Sequence, residues 1–340
     1  MTNNTNRAFR LVARPQGMLK DSDLQLFVEP RPVRGAGQLL MRSIYLSIDP
    51  THRIWMTDKP QYMPCVELGE VMRSASMAVV EESDDPAYAV GDHYVCLGGV
   101  CDFFIGIPGQ NMFYKANGMG GKLPLTADLS FCSLIIGLTA WHGVNKILCP
   151  EPGSVLCVSG AAGAVGSLVG QLAKLKGAKV IGIAGGEEKC NWLKNDLHFD
   201  HVIDYKGCKD VGEALTVCVA EVGEITHYFD NVGGSTSDAV LLNMALNSKY
   251  ALCGSISEYD DNWSGQKNFN MILMKRICVQ GFISSDHMAE LDDARAELAQ
   301  LAVEKKIKYK EDIQEGLENY PTILRMLMSG SNKGKLILKL

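Results

Sequence analysis

No excess of basic residues marks this chain. Its 340 residues carry 33 Lys and Arg against 39 Asp and Glu, a net charge of −6 at pH 7. No block of like charge stands out either, which excludes the electrostatic footprint of a nucleic-acid partner. No apolar run approaches the roughly 20 residues needed to cross a bilayer, so no membrane association is expected. Internal repeats and low-complexity segments are absent. Residues 1–7 are polar and Asn-rich without the apolar stretch of a signal peptide, which predicts a frayed tail and a cytoplasmic protein. The eleven cysteines are odd in number and form no CxxC pair. In a reducing compartment Cys157, Cys253 and Cys278, which lie in apolar runs, are expected to act as small buried hydrophobes.

What is present is a folded chain, 46% apolar and 21% charged, long enough for two cores. Up to about Asp128 the sequence is rich in Pro and Gly with short alternating apolar runs at 38–48, 76–81 and 92–97. That pattern predicts an irregular β-rich domain, with no useful helix before Ser130. From Ser130 the character changes to β/α alternation. Strands are expected at 155–159, 179–184, 201–204, 225–231, 250–254 and 277–283, with helices at 167–175, 187–196 and 235–246 between them. Such alternation implies an α/β fold with a doubly wound parallel sheet covered on both faces. An amphipathic helix at 288–305, a second helix at 317–328 and a strand at 334–340 complete the chain. The expected domains are 130–284 for the parallel sheet and 1–129 with 285–340 for the β-rich part.

Residues 157–170 read Cys-Val-Ser-Gly-Ala-Ala-Gly-Ala-Val-Gly-Ser-Leu-Val-Gly. A β-rich run enters a glycine turn and leaves it as an apolar helix. Small residues there let a dinucleotide pyrophosphate approach the backbone and reach the N–H groups of the helix start. The pattern is imperfect, since Ala161 stands at the first position, followed by Gly163 and Gly166, and glycine turns also occur without a ligand. The second strand of the unit ends at Ala184-Gly185-Gly186, where an NAD site usually carries a carboxylate for the ribose 2′-OH. Its absence, with Lys189 one helical turn on, favours the 2′-phosphate of NADPH. Glu187 and Glu188 oppose this mildly, or simply complement the helix dipole.

Seven short stretches in order carry a wider resemblance: Tyr45-Leu-Ser-Ile-Asp-Pro50, Gly137-Leu-Thr-Ala-Trp-His-Gly143, Gly163-Ala-Val-Gly166, Gly185-Gly-Glu-Glu-Lys-Cys190, Tyr228-Phe-Asp-Asn-Val-Gly-Gly234, Cys253-Gly-Ser-Ile-Ser-Glu-Tyr259 and Gly330-Ser-Asn-Lys-Gly334. Over nearly its whole length the chain resembles the zinc-independent medium-chain dehydrogenases/reductases, in the prostaglandin reductase and 2-alkenal reductase group, nearest to bacterial NADPH-dependent curcumin reductases. The resemblance implies a Rossmann domain plus a β-rich GroES-like catalytic domain. It also implies roles for individual residues. Gly163, Ala164, Val165 and Gly166 would cradle the pyrophosphate, while Gly186, Lys189 and Tyr205 would hold the adenosine phosphate and ribose. Asn231, Cys253, Ser255, Ile256 and Phe282 would line the path to the nicotinamide, which Asn332 would reach from the C-terminal part. Tyr259 would lie beside the nicotinamide ribose and orient or protonate substrate. A homodimer pairing through 277–283 is implied as well, and an apolar edge strand needs cover.

Zinc-dependent members hold their ion with a Cys, a Gly-His-Glu and a further Cys or Asp. Here the corresponding run is Glu67-Leu68-Gly69-Glu70, without the His, and Cys96 and Cys101 lack the partners of a four-cysteine lobe. No metal is therefore expected, and His52 and His93 read as loop or surface residues. Without a Lewis acid, the reaction that fits is NADPH-dependent reduction of the carbon–carbon double bond of an enone or alkenal. Tyr259 or solvent would be the proton source. A quinone oxidoreductase of the same superfamily and a non-catalytic NADPH-binding protein are the alternatives. Thr51-His52-Arg53 replaces the usual Tyr-Met-Arg, and the loop 98–102 lacks a common aromatic. Tyr45, Thr51 and Val100 are thus the expected substrate-pocket positions.

Overall fold

A computed structural model describes residues 4–109, 112–260 and 265–340. The chain divides into two compact units, residues 1–130 with 311–340, and residues 131–310.

The first unit is β-rich, as Pro- and Gly-punctuated alternation dictates. Its seven-stranded sheet runs Glu311–Glu315, Lys335–Lys339, Leu39–Ser47, Arg73–Glu82, His93–Gly99, Tyr114–Lys115, with Phe103–Gly106 also paired to Leu39–Ser47. Only the first pair is parallel; the other pairings are antiparallel. The expected frayed tail is instead ordered from residue 4, residues 1–3 lying outside the described residues. Thr5–Leu11 pairs with Leu24–Pro30, and Arg7 clasps Asp102 with Nε at 2.9 Å and Nη2 at 3.0 Å. A helix at Thr51–Trp55 also falls where none was expected. Five residues are too few to show a helical period, so tertiary contacts must hold it.

Those contacts are polar and buried. Lys335 donates to Asp49 at 2.6 Å and to the Ile48 carbonyl at 3.0 Å, and Ser47 also donates to Asp49. Burial opposes ionisation of Asp49, but Lys335 and the neighbouring His52 hold its carboxyl below the ordinary carboxylate range. His52 is fully buried, stacks on Trp55 and shares a 3.0 Å hydrogen bond with Tyr320. It is thus a core residue, and the surface or loop position expected for it is corrected.

The second unit is a six-stranded parallel sheet in the order His201–Asp204, Lys179–Ala184, Val155–Ser159, Ile225–Asp230, Met244–Leu252, Cys278–Gly281. This is the doubly wound Rossmann order, reversing beside Val155–Ser159. Three strands match the sequence expectation in both bounds. The helix expected at 235–246 stops at Asn243, because Met244 already enters the next strand. The core between sheet and helices is built from Cys157, Ile181, Ile183, Leu215, Tyr228, Val240 and Tyr250. Each aliphatic side chain among them contributes about 1.5–3 kcal/mol when removed from water. Cys157 is buried as expected, whereas Cys278 is exposed on the edge strand.

The expected boundary at 284/285 is moved to 310/311. The helix Leu291–Val303 packs within the second unit, where Leu298 meets Gly137 and Trp141 Nε1 donates to Glu297 at 2.6 Å. No helix among the described residues is long and apolar enough to cross a membrane.

Burial presses the pKa of His52 down from 6.5 to about 4. Between these values the unfolded chain binds a proton that the native state refuses, so stability falls as pH drops from 6.5 towards 4 and is flat above 6.5. The slope is about 1.4 kcal/mol per pH unit for one proton. His52→Met should remove one proton's worth of that slope, read from urea unfolding at pH 5 and pH 7; an unchanged slope would clear His52 of the effect.

Candidate functional site

The turn after Val155–Ser159 is built by two glycines. Gly160 takes φ +59°, a left-handed conformation open to glycine at little cost. The turn glycine is therefore one residue earlier than expected, and Ala161 at the first motif position is harmless: it is fully buried, with its N–H donating to the Ile183 carbonyl at 3.0 Å. Gly166 permits close approach, since a Cβ there would lie 2.4 Å from the Gly160 carbonyl oxygen. The helix Ala164–Leu175 starts directly from Gly163, and no side chain caps it. Its first N–H groups, on Ala164, Val165 and Gly166, therefore lack intrahelical partners and a side-chain cap at the positive end of the dipole.

The carboxylate of Asp230, at the end of Ile225–Asp230 and fully buried, organises the neighbouring strand ends. One oxygen accepts from Ser159 Oγ at 2.7 Å, Tyr228 OH at 2.7 Å, and the N–H groups of Val232 and Gly233 at 2.9 and 3.1 Å. The other accepts from Tyr250 OH at 2.6 Å and from Ser237. Its backbone carbonyl accepts from Cys253 and Gly254 at 2.9 and 3.0 Å. Asn231, next along, donates to the Ser159 carbonyl at 2.7 Å and has its own N–H bonded to Ser159 Oγ. The glycine turn, the Asn231 turn and the segment 253–259 are thus tied to one charge. Burial, then the Asp230 charge, pushes the hydroxyls of Tyr228 and Tyr250 far up. The same two causes push the Cys253 thiol up to about 12, so Cys253 stays a thiol.

The backbone of 253–259 is bonded to the Asn231 turn and to its own Tyr259 side chain. Ile256 and Ser257 donate to the carbonyls of Asn231 and Val232 at 3.3 and 3.0 Å, and the Ser255 N–H donates to the Tyr259 hydroxyl at 3.1 Å. Tyr259 is half-buried, and accepting that N–H polarises its O–H towards donation. Phe282, just past the edge strand, meets Phe229 edge-on at 6.1 Å.

At the end of Lys179–Ala184, a Cβ on Gly185 would lie 2.6 Å from the Tyr205 ring, whereas one on Gly186 would meet nothing within 4 Å. Tyr205 is nearly half exposed and Lys189 half-buried at this open corner. A carboxylate does stand here, unforeseen because it comes from the next strand. Asp204 accepts the N–H of Gly186 at 2.8 Å and of Lys206 at 3.0 Å, and these hydrogen bonds hold its carboxyl below the ordinary range. It is engaged by backbone donors.

Asn332, Tyr45, Thr51 and Val100 belong to the first unit. Asn332 is buried, its Nδ2 donating to the Gly334 carbonyl at 2.7 Å. Tyr45 is half-buried in Leu39–Ser47. Thr51 opens its short helix with a buried hydroxyl that has no hydrogen-bond partner among the described residues. Val100 is fully buried in the hydrophobic core, its backbone bridging Phe9 and Met72 at 2.9 and 2.7 Å, so its side chain packs against core neighbours and is not exposed to solvent.

The second unit fits a phosphorylated dinucleotide on three counts: an uncapped helix start, open space at Gly186 and a lysine at that corner. Asp230, Ser159, Asp204 and Gly160 were missed by sequence reading. Only for Asp230 was a signal present, as an acidic residue inside an otherwise apolar strand run.

Two family models match the chain, that of the N-terminal domain of oxidoreductase at residues 7–113 and that of zinc-binding dehydrogenase at 164–303. The chain is 35% identical to the NADPH-dependent curcumin reductase of Escherichia coli, covering 98% of this chain and 96% of the relative. It is 33% identical to the NADP(+)-dependent 2-alkenal reductase of Nicotiana tabacum, covering 94% and 93%. Among solved structures, CurA from Vibrio vulnificus in complex with NADPH is 35% identical, with a TM-score of 0.90 over 98% of each chain.

Asp230→Asn keeps the shape but turns an NH2 towards buried donors, a loss expected to cost about 3 kcal/mol. Chemical denaturation should show that loss, together with weaker NADPH binding by fluorescence titration. Wild-type stability in the variant would refute the role given to Asp230.

Proposed function

This chain belongs to the medium-chain dehydrogenase/reductase family, and on that premise we propose that it is an NADPH-dependent reductase of the carbon–carbon double bond in α,β-unsaturated aldehydes and ketones. The observation that carries the reading is the loop 253–259. Asp230 ties it to the same strand ends as the glycine turn, and it presents Tyr259 with a hydroxyl already accepting a backbone N–H. The similarity to a curcumin reductase and a 2-alkenal reductase supports the same reaction class.

The N–H groups of Ala164, Val165 and Gly166 would hold the pyrophosphate, and Lys189, with Gly186 and Tyr205, the 2′-phosphate corner. Asn231, Cys253, Ser255, Ile256 and Phe282 would line the way from that turn. NADPH, when bound, supplies a hydride for an electrophilic carbon. Tyr259 donates a hydrogen bond to the substrate oxygen, where negative charge develops, or passes its proton to the α-carbon. Thr51, whose buried hydroxyl has no hydrogen-bond partner among the described residues, and Tyr45 are the proposed substrate-pocket positions of the first unit. No zinc takes part at residues 65–70, where Glu70 instead accepts the Glu67 N–H at 3.0 Å.

The protein is a homodimer formed through the edge strand. Support comes from the exposure of Cys278–Gly281 beside exposed Phe269, Leu273 and Met274. Residence in the cytoplasm is supported by eleven cysteines of which none is in a disulfide.

The test follows NADPH absorbance with 2-alkenals, cyclic enones and quinones. Alkenals and enones should be reduced; turnover of quinones alone would transfer the protein to the quinone oxidoreductases, and binding without turnover would make it a non-catalytic NADPH protein. Tyr259→Phe should lower kcat about 100-fold with little change in NADPH affinity, and unchanged turnover would leave solvent as the proton source. Lys189→Ala should raise the KM for NADPH about tenfold, the effect of one charged hydrogen bond, and leave that for NADH unaltered.

A further inference from the structure

The segment Thr139–His142 and the turn Ser284–Glu290 are far apart in sequence and meet inside the second unit. Their meeting point joins two histidines and a glutamate. His142 is almost wholly buried, and its Nδ1 lies 2.7 Å from Glu290 Oε2. The His287 ring stacks on the His142 ring, with centroids 3.6 Å apart and planes within 22°. One donor atom from each of the three residues lies within 4.8 Å of the others, and this is the one such cluster of His, Cys, Asp or Glu among the described residues. We propose that His142, His287 and Glu290 form a binding site for a divalent metal ion of the zinc class, with further coordination positions left to water.

The donor set argues for the ion. Two neutral imidazoles and a carboxylate suit borderline ions such as Zn2+, and His2Glu is an established three-ligand combination that leaves a position open. Oxygen-seeking Mg2+ and Ca2+ are disfavoured by two nitrogen donors. Charge argues in the same direction. Among the described residues, neither Lys nor Arg pairs with Glu290; its ion-pair partner is His142. The carboxylate is thus not neutralised by a fixed cation. The position of the cluster also suits entry of an ion. His287 and Glu290 are half-buried and reachable, while His142 closes the inner side with Phe282 at 5.6 Å.

Geometry demands only local motion. Ligation at about 2.0–2.1 Å in a tetrahedron sets donors about 3.3 Å apart. The 2.7 Å His142–Glu290 contact must open slightly, and the stacked rings must hinge so that one nitrogen of each converges on the ion. His287 and Glu290, three apart in the turn, already bring their donor atoms within 4.8 Å of each other and of the His142 donor. The two π-helical stretches Leu134–Leu138 and Gly143–Leu148 flank the His142 segment, a widened backbone often found at functional positions. The expectation of no metal rested on the zinc positions of dehydrogenases, and this cluster lies at none of them.

The experiment titrates Zn2+ and Co2+ into metal-stripped full-length protein by calorimetry, and records the visible spectrum of the Co2+ form. One equivalent should bind, with ligand-field bands and without the near-ultraviolet charge transfer of a thiolate ligand. That spectrum separates this site from the eleven cysteine thiols. His287→Phe, which keeps a ring on His142, and Glu290→Gln, which keeps an acceptor, should each weaken binding by about 100-fold or more, at least matching the 10–100-fold cost of outer-shell changes. Circular dichroism verifies that both remain folded. The proposal is overturned if the wild type binds no better than the two variants, or if its Co2+ spectrum reports only thiolate ligation.

Discussion

One buried carboxylate holds the second unit's strand ends in order. Among the described residues Asp230 has no Lys or Arg partner; six hydrogen bonds from hydroxyl and backbone donors compensate its burial. Such multiple donation is one way a charge can persist in an apolar core. The donors come from three adjacent strands and the helix following its own, so the charge acts as a cross-link at the carboxyl edge of the sheet. That edge is where open α/β sheets bind their ligands. Asn231 and the segment 253–259 inherit their positions from it, and the glycine turn is tied to it through Ser159.

A second buried charge organises the first unit in a different manner. Asp49 and Lys335 are directly paired at 2.6 Å and almost wholly buried. Their hydrogen bonds to Ser47 and the Ile48 carbonyl join the end of one strand to the start of another that arrives 286 residues later. The short helix with Thr51 and His52 starts there. Replacing the usual Met by His52 sets an imidazole into this core, where burial keeps it neutral.

Much of the second unit was legible from periodicity. Val155–Ser159, Lys179–Ala184 and His201–Asp204 are short apolar runs bounded by turn residues, and the structure gives them those bounds. The edges of other elements were not legible. Met244 to Leu246 continue a helical pattern yet join a strand, which Met244 opens by pairing with Ile225 against local preference. Val100 lies in a loop rich in small residues and read as a pocket wall. It is core, because Phe9, in a strand distant in sequence, and Met72, just before another, hydrogen-bond its backbone. Residues 285–310 read as part of the β-rich domain, yet their helix is held by Trp141 and Gly137.

The sequence by itself determined the parallel sheet, the glycine turn and the lysine at the second strand end, since each rests on neighbours within a few residues. It also determined the family, through motifs whose order needs no coordinates. Tertiary structure alone decided which polar residues meet. Asp230 with Ser159, Asp49 with Lys335, Asp204 with Gly186 and His142 with Glu290 are joined across 18 to 286 residues of chain. No local periodicity encodes such pairs, because a buried polar group takes its partner from whatever the packed fold brings within about 3 Å.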